Sequence, residues 1–360
     1  MHEWKCLYLA CYHPLPAFYT FANDGKKQIH FFDKNVMNDF NTWYRDTQDY
    51  SFLKNKLSDP SKFLLLPCGQ CVGCRLDHSR EWAIRCMLEA KDHQFNWFVT
   101  FTYDDEHLKP LLFNHPKQVD LITGEVTKYQ KYANLCPKDM TDFIKRLRIH
   151  WKRNHNCDGI KYFLCGEYGS LNGRPHYHAI IFNLPLFDLK KSVLMNSRSG
   201  KGLLYESKEL SSLWNKGLVA IGEVNFQTCA YTARYILKKH KGADKDYYVQ
   251  NGIVPEFVRM SLKPAIAKKY YDDHKDDIYK NDVLYMTDKD NRVFPCKPPS
   301  YFDKLYDVDN PDVLNHLKEV RKQTAEKLKG NPLTDLNQRD YLKVQENNKL
   351  FSAKSLTRSL

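Results

Sequence analysis

The 360-residue chain has no run near the ~18 consecutive apolar residues of a membrane span. Its start, Met1-His-Glu-Trp-Lys-Cys6, lacks the charged-then-apolar order of a signal peptide. These absences argue against membrane-spanning helices and secretion, so a soluble, intracellular protein is expected. There is no internal repeat and no G-x-x-x-x-G-K-S/T phosphate loop, which excludes the phosphate-loop nucleotide hydrolases. The cysteines number 11, an odd count that fits reduced thiols and a metal site better than a disulfide framework.

What is abundant is positive charge and aromatic rings. Lys and Arg number 55 against 43 Asp and Glu, for a net charge of +12, and 23 Tyr and 20 Phe bring the aromatic share to 14%. A basic surface favours a polyanionic partner, and unpaired bases stack on exposed rings, so the pair of biases suits single-stranded DNA.

The sharpest local pattern is Arg174-Pro-His-Tyr-His-Ala-Ile-Ile-Phe182. Side chains alternate along a strand, so His176 and His178 project from one side and can share a divalent ion. Upstream, Lys161-Tyr-Phe-Leu-Cys-Gly-Glu-Tyr168 reads as a second strand, joined to the first through Asn172-Gly173, a hairpin signal. A turn centred on that dipeptide pairs Glu167 with His178 on the same face. Two imidazoles and one carboxylate, with positions left open, are the ligand set of a catalytic metal rather than a closed structural one.

Further on, Cys229-Ala-Tyr-Thr-Ala-Arg-Tyr-Ile-Leu-Lys-Lys-His240 has helical spacing and no Gly or Pro. Tyr231, Tyr235 and Lys238 share one face, while Ala233, Ile236 and Leu237 form the apolar one. A phenol beside a cation and a metal-polarised phosphate can attack phosphorus and form a phosphotyrosyl ester, which keeps the energy of the cleaved linkage for later rejoining. Lys238 would orient the phosphate or stabilise developing charge.

With Phe98-Val-Thr-Phe-Thr-Tyr103, Cys165-Gly-Glu-Tyr-Gly169, Arg174-Pro-His-Tyr-His178, Tyr231 to Lys238 and Pro67-Cys-Gly-Gln-Cys-Val-Gly-Cys-Arg75 in view, the chain resembles replication initiation proteins of the HUH endonuclease superfamily. It is similar in particular to those of microviruses of the gokushovirus group. The resemblance spans residues 67 to 240. It implies an α+β fold with a ferredoxin- or RRM-like core, Mg²⁺ or Mn²⁺ held by His176, His178 and Glu167, and Tyr235 and Tyr231 as nucleophiles. It further implies nicking of one strand at an origin to start rolling-circle replication, in a bacterial cytoplasm. With no phosphate loop, strand separation would fall to a host helicase and extension to a host polymerase. A relaxase or transposase, a metal-dependent hydrolase with packing tyrosines, and a non-catalytic single-strand binder are the rival readings.

Met140, Phe143, Ile144, Leu147 and Trp151 form an apolar stripe on a helix expected to start at Asp139, with Lys145, Arg146 and Arg148 on the remaining surface. These three, with Arg174, Arg234 and Lys239, are the candidate DNA contacts. Cys68, Cys71 and Cys74 have C-x-x-C-x-x-C spacing that can hold zinc or an iron-sulfur cluster. Cys11 is the preferred fourth ligand; Cys6, His13, His78 and Cys86 remain open. The expected architecture is an antiparallel sheet with helices packed on one face. It divides into an N-terminal Cys-bearing segment (residues 1–90), a core (91–241) and a C-terminal helical extension (242–360) whose last thirty residues are polar enough to fray. Residues 113 to 137 read as an inserted hairpin and 194 to 212 as a mobile loop. Asp104, Asp105 and Glu106 read as a polar turn or helix start.

Overall fold

The computed structural model describes residues 11–23, 25, 27–33, 35–38, 51–114, 131–169, 173–192, 204–234, 246–287, 292–329 and 335–356. Its contacts group residues 79–317 into one unit and 7–78 with 318–359 into another. This differs from boundaries at 90 and 241, because a strand beyond residue 250 completes the core sheet while the far C-terminus returns to the N-terminal unit.

The larger unit is built on a seven-stranded antiparallel sheet. In chain order its strands are β1 (Asn96–Thr102), β2 (Lys161–Tyr168), β3 (Pro175–Phe182), β4 (Lys190–Lys191), β5 (Tyr205–Glu206), β6 (Val219–Glu223) and β7 (Phe257–Met260). Their spatial order is β7-β2-β3-β1-β6-β5-β4, which puts the His-x-His strand β3 near the middle, between β2 and β1.

Alternation along β3 sends its residues into two separate cores. Tyr177, Ala179 and Ile181 join Val99, Phe101 and Leu164 under the helix Pro137–His155, whose Met140, Phe143, Ile144, Leu147 and Trp151 are all buried. That helix begins at Pro137, two residues ahead of the expected start, since proline suits the first helical position. Asp139 instead accepts a hydrogen bond from the Tyr103 hydroxyl at 2.7 Å. Trp214, from the helix Lys208–Trp214, fills the same layer and donates its indole N–H to the Thr102 carbonyl at 3.0 Å. Ile180 and Phe182 point the other way, onto Ala83 and Cys86 of the helix Val72–Lys91 and Cys229 and Ala233 of the helix Phe226–Arg234. The antiparallel α+β class stands, but helices cover both faces, not one. The uninterrupted apolar run Ala179 to Phe182 is the reason: a strand buried on both sides needs no polar alternate.

The remainder of this unit packs Ile84 and Leu88 against Tyr271, Ile278 and Phe302 from the helices Lys268–Asn281 and Ser300–Asp309. The link into the first of these helices is held by a fully buried carboxylate. Glu89 accepts from Lys161 Nζ at 2.7 Å and the Ala267 N–H at 2.6 Å, and bonds His93 Nε2 at 2.9 Å. Ala267 sits at φ +62°, a left-handed position that costs a non-glycine residue about 1–2 kcal/mol and is tolerated because Glu89 pins it.

Three other expectations meet the structure here. Asp104 caps the short helix Asp105–Leu108, its carboxylate accepting the His107 N–H at 2.8 Å, as a polar helix start. Leu112–Asn114 pairs with Lys131–Ala133, the base of the inserted hairpin; its Thr123-Gly124 centre lies outside the described residues. The stretch expected as a mobile loop contains β5 and the start of the Lys208–Trp214 helix, capped by Ser207 Oγ accepting the Leu210 N–H at 3.0 Å. The buried Trp214 anchors it, a contact its Ser, Gly and Lys content conceals.

In the smaller unit, Leu15–Phe21 is the middle strand of three, flanked by Lys27–Phe31 and Phe63–Leu66. The last thirty residues, expected to fray, include the helix Gln338–Leu356, whose Leu342 and Ala353 pack on Tyr12, Cys71 and Val72. Sparse apolar residues are enough when a partner surface exists for them.

Candidate active site

The β2–β3 pairing sets Glu167 opposite His176 and Cys165 opposite His178. The expected register, with Glu167 opposite His178, is displaced by two residues. The strands are joined by a longer connection than a two-residue turn: Gly169 N–H reaches the Arg174 carbonyl at 2.9 Å, and Gly173, at φ +59°, donates to the Gly169 carbonyl at 3.0 Å. A slip of one residue would have turned the carboxylate away, whereas two leaves it on the histidine face.

Glu167 and His178 meet there, Oε1 lying 3.0 Å from Nε2, with only 3% and 6% of the two residues exposed. On the neighbouring strand Thr100 pairs with His178 and places its Oγ1 2.9 Å from Nδ1. Phe98 stacks parallel to the imidazole, centroids 5.7 Å apart at 5°. Both ring nitrogens and one ring face are thereby engaged, which holds the imidazole in a single orientation.

The fourth neighbour is Tyr231, whose ring meets the His178 ring edge-on with centroids 5.0 Å apart. It rides on the helix Phe226–Arg234, which starts with a reciprocal cap. Asn225 Oδ1 accepts the Thr228 N–H and Thr228 Oγ1 accepts the Asn225 N–H, both at 2.9 Å. Cys229, Thr232 and Ala233 are buried and turn half-buried Tyr231 onto the histidine. Tyr235, Lys238 and Lys239 lie outside the described residues, as do Ile236 and Leu237.

His176 shares the face. Its ring occupies the space beside Gly169, where an added Cβ would stand 3.0 Å from Nε2. Gly169→Ala therefore pushes that ring aside; an expected shift of the His176 side-chain NMR signals, with Tyr231 unaffected, checks it. Among the described residues, His176, His178 and Glu167 do not bring three donor atoms within 4.8 Å of one another, although His178 and Glu167 already touch.

Buried phenols elsewhere are held by other partners. Burial, with Tyr177 and Asp139 alongside, pushes the Tyr103 hydroxyl far above the usual phenol range, and burial raises Tyr177. Both sit in the opposite layer, locked in hydrogen bonds with Asp139 and the Cys136 N–H.

This arrangement, a buried His–carboxylate pair with a phenol laid against it, lies inside residues 96–240, which match the family model of the replication-associated protein ORF2. The replication-associated protein ORF2 of Spiroplasma virus 4 is 37% identical over 340 residues, covering 92% of this chain and 96% of that one. The replication-associated protein VP4 of Bdellovibrio phage phiMH2K is 28% identical over 82% of this chain and 83% of its own length. The replication-associated protein ORF4 of Chlamydia phage 1 is 26% identical over 63% and 54%. The chain belongs to this replication-associated family. Its role is in phage replication, and no helix among its described residues is long and apolar enough to cross a membrane. No solved structure matches it.

For this replication protein, the basic residues singled out by sequence fall into distinct places. Lys145, Arg146 and Arg148 ride on the helix Pro137–His155, across the sheet from His178. Arg146 and Arg148 are occupied with main-chain oxygens, of Leu213 at 3.0 Å and of Ile160 at 2.8 Å. Arg174 donates to the Tyr103 carbonyl at 2.6 Å and pairs with Asp105 at 2.9 Å. Arg234, partly buried, stands one turn from Tyr231 on the histidine side. An amphipathic pattern identifies the outward side of a helix but not which side of the sheet the helix covers.

Thr100, Phe98 and Gly169 are functional neighbours that the sequence reading passed over. Alternation in β1 held the signal for the first two, since Phe98, Thr100 and Thr102 share a face once β1 is laid beside β3. A second convergence, His150 and His155 on Glu209 Oε1 at 2.7 and 2.6 Å, lies in the opposite layer and joins two helices.

Proposed function

We propose that this protein is a metal-dependent DNA nicking and rejoining enzyme of the HUH endonuclease type that initiates and terminates rolling-circle replication of a circular single-stranded phage genome. The observation that carries the reading is the Tyr231 ring against His178, with Glu167 Oε1 3.0 Å from the imidazole nitrogen. Two cis ligands each about 2.1 Å from one ion stand about 3.0 Å apart, so this pair has the spacing of a ligand edge. His176, on the same face, completes the set by side-chain rotation. Two imidazoles and a carboxylate suit Mn²⁺ somewhat better than Mg²⁺.

A bound divalent ion neutralises and polarises the scissile phosphate. Tyr231 or Tyr235 attacks phosphorus: an Oη–P bond forms, the P–O3′ bond breaks, the phenolic proton passes to solvent, and the departing oxygen takes a proton to become a 3′-hydroxyl primer. The other tyrosine repeats the cut after a round of synthesis, and the free 3′-hydroxyl then displaces the first ester to close the circle. Thr100 keeps His178 oriented, and Lys238 orients the phosphate. The substrate is single-stranded origin DNA, with a host helicase separating strands and a host polymerase extending the primer.

The test uses labelled single strands tiling the phage genome, incubated with Mn²⁺ and resolved on a denaturing gel. A covalent protein–DNA adduct is expected with one fragment, and Tyr231→Phe with Tyr235→Phe removes it. An adduct that survives the double exchange overturns the assigned nucleophiles, and products with free 5′-phosphates and no attached protein favour a metal-dependent hydrolase.

A further inference from the structure

Four thiols converge in the smaller unit, independently of the active site. Cys11 precedes the strand Leu15–Phe21, while Cys68, Cys71 and Cys74 come from the turn and first residues of the helix Val72–Lys91. Their sulfurs all lie within 4.8 Å of one another, and Cys71 Sγ is 3.9 Å from Cys11 Sγ. Sulfurs at the corners of a tetrahedron, each about 2.3 Å from a zinc ion, are about 3.8 Å apart. A disulfide would bring two of them to about 2.05 Å.

The backbone is arranged around these sulfurs. Cys11 Sγ accepts the Cys68 N–H at 3.2 Å, Cys68 Sγ accepts the N–H groups of Gln70 at 3.4 Å and Cys71 at 3.3 Å, and Cys71 Sγ accepts the Cys74 N–H at 3.5 Å. Amides aimed at sulfur favour the thiolate, the form that binds metal, and set its direction. Gly69, at φ +69°, makes the tight turn between the first two ligands. The structure also disposes of two rival fourth ligands. His13 Nε2 is bonded to the Glu346 carboxylate at 3.0 Å, and Cys86 is fully buried in the core of the other unit with Cys229.

We infer that Cys11, Cys68, Cys71 and Cys74 bind one zinc ion as a closed tetrathiolate, and that this ion fixes the seat of the C-terminal helix Gln338–Leu356. The residues next to Cys11 form that seat. Tyr12 is buried with Cys71 and Val72 against Leu342 and Ala353, and His13 holds Glu346. This apolar cluster is too small to hold two chain ends together by burial alone, and a structural ion is the usual remedy for so small a core. Joining Cys11 to the Cys68–Cys74 turn through the ion fixes both sides of the seat.

Protein purified anaerobically should carry one zinc per chain by elemental analysis. Cys11→Ser should lose most of it, and Cys157→Ser, in the other unit, should keep it. Cobalt replacing zinc should give the thiolate-to-metal absorption and tetrahedral ligand-field bands of four sulfur ligands, a readout on wild-type protein that does not depend on whether Cys11→Ser folds. Removing the ion with a chelator should speed amide exchange over residues 338–356 by about tenfold or more while leaving β2 and β3 protected. Absence of metal, iron with labile sulfide, or full zinc retention in Cys11→Ser overturns the site; unchanged exchange in the metal-free protein overturns its control of the helix.

Discussion

His178→Gln lowers the single-turnover rate of protein–DNA adduct formation by at least ~10³-fold, about 4 kcal/mol of barrier, because it removes a group expected to hold the ion at the scissile phosphate. The rate of adduct formation on the reactive fragment measures it. Gln keeps most of the volume against Phe98 and Tyr231, so the thermal midpoint should move by only a few degrees. Thr100→Val, which removes the hydroxyl 2.9 Å from Nδ1, should cost about 10–100-fold, and Thr100→Ser should restore most of it. A merely structural threonine would not show that rescue. Adduct formation at the wild-type rate in His178→Gln would remove this histidine from the chemistry.

Glu89→Ala destabilises the larger unit by about 3–5 kcal/mol, since Lys161 and the Ala267 N–H lose a fully buried partner. Burial pushes the Glu89 carboxyl upward, but bonds with His93, Lys161 and the Ala267 N–H outweigh it and leave the group below its ordinary value of 4.5. A carboxyl lowered on folding contributes stability that is fully present above the unfolded value and is lost as the pH falls through the folded one. The urea midpoint should therefore be flat near neutrality and decline below about pH 4.5, a decline that Glu89→Gln reduces. An identical acid limb in both proteins would show that other carboxylates carry it.

Period-2 alternation and helical spacing made much of the core legible. The His-x-His strand, its upstream partner, the tyrosine helix and the Pro137–His155 helix stand where their patterns indicate. The Cys-x-x-Cys-x-x-Cys run and Cys11 come together as their side-chain chemistry suggests. Relations between elements were less legible. Hairpin register depends on the number of residues in the connection, and the dipeptide Asn172-Gly173 marks a turn without counting it. The layer that covers Ile180 and Phe182 follows from chain connections that periodicity does not encode.

By itself, then, the order of residues determined which side chains share a face, because that follows from local backbone geometry within one strand or helix. It also determined the chemistry on offer, two imidazoles, a carboxylate and a helix of phenols, because residue type dictates donor and nucleophile. Tertiary structure alone decided that Tyr231 lies against His178, that Thr100 and Phe98 hold that ring, and that Lys145, Arg146 and Arg148 stand across the sheet from it. Those are contacts between segments far apart in the chain, selected by how all the apolar faces are buried together, and no short window of sequence contains that competition.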